Sequence, residues 1–168
     1  AIIPDAYAIV NPKQEDCPFP HCEICGAQVA WYLVAALKEE LGIDYNLSSF
    51  LDLLCIAIMA DMMELTGMNR VMVKKGIVEL NNSKRPAFEA IKQYYGKATL
   101  EGDNISFLIA PLINSSGRME DAMLSYNFLK SKSINDALEK LEYIISLNEA
   151  RKDEERLLFE STLPYVKE

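Results

Sequence analysis

Chemistry in this chain would start from one carboxylate. Asp61 follows the run Leu53-Leu54-Cys55-Ile56-Ala57-Ile58-Met59-Ala60, which is apolar on every helical face. Such a run belongs to an element surrounded by protein, and a carboxylate set beside it is costly unless a hydrogen bond, a cation or a metal receives it. Two readings stay open on the local sequence. Asp61 caps a neighbouring helix or bonds a loop's backbone, or it offers oxygen ligands to a divalent ion. A second set is Ile113-Asn114-Ser115-Ser116-Gly117-Arg118, small, polar and glycine-containing. As a loop between two helices it would present backbone N–H groups, the Asn114 amide and the Arg118 guanidinium to a phosphate. The plainer alternative pairs Arg118 with Glu120 or Asp121 and leaves the loop a connector. A third cluster, Cys17, His21, Cys22 and Cys25, contains ligand types that zinc uses, with a permissible Cys22-x-x-Cys25 spacing. Against zinc, no second Cys or His pair follows, and His21 directly before Cys22 is awkward for two ligands of one tetrahedral ion.

The elements that must position these groups read mainly as helices. Tyr7 to Val10 is a short run of β-formers stopped by Asn11-Pro12, and it predicts a single strand. One strand is not a sheet; as a buried parallel strand it would have its neighbours outside this chain, as in a piece of a larger α/β domain. Asn11 to Cys25 is a proline-containing loop. Gly26 to Leu41 carries Val29, Leu33, Val34, Ala36, Leu37 and Leu41 at helical spacing, and Gly42 closes it. Ser48 or Ser49 is read as the N-cap of the apolar element that leads to Asp61, with Asp52 in its first turn. Asn69 to Leu80 and Pro86 to Tyr95 form two more helices. Asp103 or Asn104 caps another, which Pro111 breaks. Ser133, with Asp136 three residues on, opens a long helix whose seam is Ile134, Leu138, Leu141, Ile145 and Asn148, before charges take over from Arg151 to Arg156. At 1.5 Å per residue it is a rod of roughly 40 Å.

Several blocks resemble one family in order and spacing. Ala60-Asp61-Met62-Met63-Glu64-Leu65-Thr66-Gly67-Met68-Asn69-Arg70, followed by Asn81-Asn82-Ser83-Lys84-Arg85-Pro86, is similar to a segment of the RecJ-like exonucleases of the DHH phosphoesterase superfamily. So are Val10-Asn11-Pro12-Lys13 with Cys17-Pro18-Phe19-Pro20, then Cys25-Gly26-Ala27, then Ile109-Ala110-Pro111 leading to Ile113-Asn114 and Gly117-Arg118-Met119. The resemblance implies an α/β parent domain, of which this piece is predominantly α-helical with one short N-terminal strand and a long C-terminal linker helix. Residues 1–130 would be the C-terminal part of the DHH catalytic domain, and 131–168 the helix that joins it to a DHH-associated domain. The implied activity is hydrolysis of single-stranded DNA from its 5′ end, in repair and recombination, with Mn²⁺ or Mg²⁺ as cofactor. Asp61 matches a catalytic, metal-binding Asp of that family, and Asn114 and Arg118 match its phosphate or DNA contacts. The chain departs from the pattern at Leu112, where a basic residue is common. It also has no Asp-His-His motif, since His21 is its only His. A lone carboxylate holds these ions weakly, so the piece by itself is expected to be inactive, its missing partners being the N-terminal half of the DHH domain and the DHH-associated domain.

Composition bounds the remaining choices. The chain has 168 residues, half of them apolar, enough for one domain with a core. A formal charge of −8 argues against a module that binds nucleic acid through its own basic surface. No run of eighteen apolar residues predicts a membrane span. Ala1, with no Met and no leader, reads as the start of an excised or cleaved piece. Cys55 inside the apolar run and Cys25 at a helix start read as reduced core thiols of a cytoplasmic protein. Two alternatives remain: another DHH phosphoesterase, acting as an oligoribonuclease or phosphatase, which substrate length would separate, or a non-enzymatic helical or zinc-binding module, which metal analysis would separate.

Overall fold

The apolar run forms the helix about which the others are arranged. The structure, a computed structural model, describes residues 4–165. Helix α1 spans Gly26–Glu40, α2 Leu51–Ala60, α3 Gly67–Asn82 and α4 Pro86–Tyr94. A three-residue α5, Gly102–Asn104, passes through a π turn, Ile105–Ile109, into α6, Ala110–Met119. Two more helices follow, α7 Met123–Leu129 and the long α8 Ile134–Thr162. Among the described residues there is no strand, so Tyr7 to Val10 is not the predicted β element. The reason is physical: a strand is defined by its ladder, and no described segment pairs with this one.

In α2, Leu51, Leu54, Cys55, Ile56 and Ile58 are buried, as expected of a helix apolar all round. Its entry differs from the sequence reading. Asn46, not Ser48 or Ser49, caps a 3₁₀ turn over Leu47–Phe50, its side chain accepting the Ser48 N–H at 3.0 Å; the two serines are used up inside that turn. The main neighbour of α2 is α3. Gly76 makes their close crossing possible, because a Cβ there would collide with the Cys55 Cβ and lie 2.5 Å from the Leu51 carbonyl oxygen.

Around this pair, α4, α6 and α7 pack against the first half of α8, which buries Ala137, Leu141, Ile144 and Asn148. That seam lies one step round from the predicted one, with Ile134 left exposed. Ser133 caps α8 as expected, accepting the Asp136 N–H at 3.2 Å. Pro111 does not break a helix; it sits in the first turn of α6, directly after the π turn. Its missing N–H falls where the hydrogen-bond register is already changing. Helix α1 departs most from expectation: Leu33, Val34, Leu37 and Leu41 are exposed, and only Gln28 is buried. Gln28 accepts the Cys25 N–H at 3.0 Å and donates to Asn69 Oδ1 at 2.8 Å. Asn69 in turn donates to the carbonyls of Glu23 and Glu64, so one buried amide pair ties the proline-rich loop to α3.

Candidate active-site cleft

Helix α2 ends in a way that sets Asp61 apart. The Asp61 N–H bonds the Ala57 carbonyl at 3.0 Å, Met62 N–H bonds Met59, and Met63 N–H bonds Ile58. This is the paired closure at which glycine usually takes the left-handed position; here Met62 takes it, with φ of 53°. The Asp61 side chain is exposed, and among the described residues it accepts no hydrogen bond and forms no ion pair. It therefore does not cap a neighbouring helix, the structural use that the sequence left open.

Its neighbours Ala60 and Met62 line a cleft of about 400 Å³, but Asp61 is not itself among the cleft residues; its charge acts on the Cys25 thiol. The π turn contributes Ser106 and Phe107 to the same cleft, α6 contributes Asn114 and Arg118, and α8 contributes Arg151. The predicted phosphate loop is helix. Residues 113–118 lie inside α6, where Ser115 and Ser116 turn their hydroxyls back onto the Leu112 and Ile113 carbonyls. Their backbone N–H groups are consequently not free to hold an anion. What the helix supplies is spacing: Asn114 and Arg118, four residues apart, share an exposed face at the cleft. Arg118 forms no ion pair with Glu120 or Asp121; Glu120 instead accepts the Tyr143 hydroxyl at 2.7 Å. Arg151 is engaged by Glu155 and Asn148. Leu112 is buried in the core.

The cysteine cluster is dispersed. Cys25 is buried, Cys22 exposed and Cys17 between the two, and among the described residues no group of three or more His, Cys, Asp or Glu side chains converges on one point. Burial pushes the Cys25 thiol up, and the Asp61 charge adds to the effect. Cys55 is pushed up to about 12, first by burial and then by Asp52.

No protein-family model matches the chain. It is 29% identical over 167 residues to the single-stranded-DNA-specific exonuclease RecJ of Salmonella typhimurium, covering 92% of this chain and 29% of that one. Against RecJ of Bacillus subtilis the identity is 32% over 151 residues, covering 89% and 19%. RecJ of Thermus thermophilus, solved with Mg²⁺ and with Mn²⁺, superposes with TM-scores of 0.76 and 0.77 at 27% identity, over 91% and 89% of this chain and 24% and 22% of that one. The chain is RecJ-like. It spans 19–29% of the length of these curated relatives. Among the described residues, no helix of the RecJ-like chain is long and apolar enough to cross a membrane.

Three features of this site were not legible in the RecJ-like blocks: Met62, Phe107 and Arg151 as cleft residues. Met62 and Phe107 read in the sequence as ordinary apolar residues, and their exposure shows only in the fold. Arg151 left no signal either, because only the fold brings α8 beside α6.

Proposed function

We propose that this chain is part of the catalytic domain of a metal-dependent exonuclease specific for single-stranded DNA, with Asp61 as a metal ligand and Asn114 and Arg118 as phosphate contacts. The observation that carries the reading is an exposed carboxylate without a partner among the described residues, at a helix end whose Ala60 and Met62 line the cleft that holds Asn114 and Arg118, although Asp61 itself is not among the cleft residues. Carboxylate oxygens suit Mg²⁺ and Mn²⁺, but these ions want several such donors. The described residues offer no group of three, so Asp61 fits as one ligand and the remaining donors would come from elsewhere in a longer RecJ-type polypeptide. Divalent cations at such a centre supply water activation and charge neutralisation. The chain's own residues do the rest: Arg118 would neutralise a phosphate and fix its orientation through two N–H groups, and Asn114 would donate to a third oxygen.

On this reading residues 1–130 belong to the catalytic domain and 131–168 lead towards a DHH-associated domain. The longer protein degrades DNA from the 5′ end in the cytoplasm, in repair and recombination, and the chain alone is inactive. Calorimetric titration of the chain with MnCl₂ should give no binding in the micromolar range. Micromolar binding that Asp61→Ala abolishes would overturn the claim that most ligands lie elsewhere. In a longer RecJ-type chain carrying this segment, Arg118→Ala should lower kcat/KM on single-stranded DNA by roughly 100-fold. Unchanged cleavage would remove Arg118 from the site.

A further inference from the structure

The loop that carries Asp61 is pinned from inside the protein. Residues 61–66, between α2 and α3, include Met62 in the left-handed conformation that a side chain disfavours, so the backbone there holds its course only where other bonds impose it. Met63 N–H bonds the Ile58 carbonyl at 3.1 Å, and Thr66 N–H the Glu64 carbonyl at 2.9 Å. Among the described residues, one side chain hydrogen-bonds this loop: Asn69 Nδ2 donates to the Glu64 carbonyl at 3.0 Å. The same Nδ2 donates to the Glu23 carbonyl at 3.0 Å, and Asn69 Oδ1 accepts from Gln28 Nε2 at 2.8 Å. Gln28 is fixed in turn, its Oε1 accepting the Cys25 N–H at 3.0 Å. Asn69 is 6% exposed and Gln28 not at all.

Burying two amides here serves geometry rather than packing. Apolar side chains of the same volume would fill the space without choosing a direction, whereas a satisfied buried network admits one arrangement. That arrangement ties three segments to one point: the proline-rich loop at Glu23, the start of α1 at Cys25 and the Asp61 loop at Glu64. The Asp61 charge is felt at the Cys25 thiol, so the carboxylate lies on the side that the network braces. We propose that Asn69, its amide oriented by Gln28, is a positioning residue for Asp61: it holds residues 61–66 in the one course that presents the carboxylate to a divalent cation before the ion arrives. The assignment rests on the reading of Asp61 as a metal ligand. Removing a group that orients a ligand from behind typically weakens metal binding by roughly 10- to 100-fold.

Asn81, at the other end of α3, is the control. Its side chain also bonds two carbonyls, those of Ile77 and Leu100, and accepts the Leu100 N–H, so Asn81→Ala removes comparable bonds from the same helix away from Asp61. In this chain, followed by amide hydrogen exchange, Asn69→Ala should speed exchange at Met63 and Thr66 by roughly 10-fold or more. Asn81→Ala should lower the melting temperature without that local effect, and unchanged exchange in Asn69→Ala overturns the proposal. In a longer RecJ-type chain carrying this segment, titrated calorimetrically with MnCl₂, Asn69→Ala should weaken binding roughly 10-fold, with Asn81→Ala at the parent affinity. Gln28→Met keeps the volume, removes the orienting donor and should shift both readouts in the same direction. It carries the test if Asn69→Ala does not fold, and parent behaviour from it then overturns the proposal. If Mn²⁺ binding falls with Asp61→Ala but not with Asn69→Ala, or falls alike with Asn69→Ala and Asn81→Ala, Asn69 only stabilises the fold; the proposal is overturned and the reading of Asp61 stands. If Asp61→Ala leaves Mn²⁺ binding unchanged, both are overturned.

Discussion

Asp52 and Asp61 stand at opposite ends of α2 and meet opposite fates. Asp52 is buried: its Oδ2 accepts from Arg85 Nε and from Ser83 Oγ, each at 2.8 Å, and its Oδ1 accepts the Leu53 N–H at 2.7 Å. Arg85 also lies over the Phe50 ring. Asp61 finds no such partner among the described residues. The sequence showed Asp52 only as an acid in a first turn, because its partners lie 31 and 33 residues away. The Ser83-Lys84-Arg85-Pro86 block thus has a structural explanation as well as a family one. Removing one member of a buried ion pair leaves the other desolvated and alone, so Asp52→Ala should cost about 3 kcal/mol of stability, measured by urea denaturation. Asp61→Ala should cost almost nothing in the same experiment, and a large loss there would show that Asp61 is structural.

Helix ends were read more successfully than helix faces. Gly42, Pro86, Gly96 and Ser133 mark termini in the sequence and mark them in the structure, because a cap acts within one turn. The buried faces of α1 and α8 differ from those the sequence pattern predicts, and 113–118, which reads as a loop, is helix. Small polar residues are compatible with either state, and here the hydroxyls of Ser116 and Ser125 bond each other at 2.7 Å and hold α7 to α6. Gly76 is a further case. In an exposed helix, replacing glycine by alanine would stabilise by about 1 kcal/mol. Here the added methyl meets α2, so Gly76→Ala should destabilise by about 1–3 kcal/mol. A thermal melt decides the sign, and an unchanged or higher midpoint would mean that α2 and α3 can separate without penalty.

At the scale of the whole molecule, one rod has two parts. Leu141 and Ile144 are sealed in the core, whereas Leu157, Leu158 and Phe159 are 61–66% exposed. Leu141→Ala should therefore cost about 3 kcal/mol, and the triple change Leu157→Gln, Leu158→Gln, Phe159→Gln should leave the unfolding free energy from urea denaturation within about 0.5 kcal/mol of the parent. A large loss from the triple change would mean that the end of α8 folds back on the body. The sequence by itself determined the helical class, most helix termini, the burial of α2 and the likeness to RecJ, because caps and periodicity act over a few residues and motifs are linear. Only the tertiary structure decided which aspartate stays free, which faces are covered, and that the α2 terminus, a π turn, α6 and α8 meet at one cleft. Those outcomes depend on contacts between residues far apart in the chain, whose partners no local pattern names.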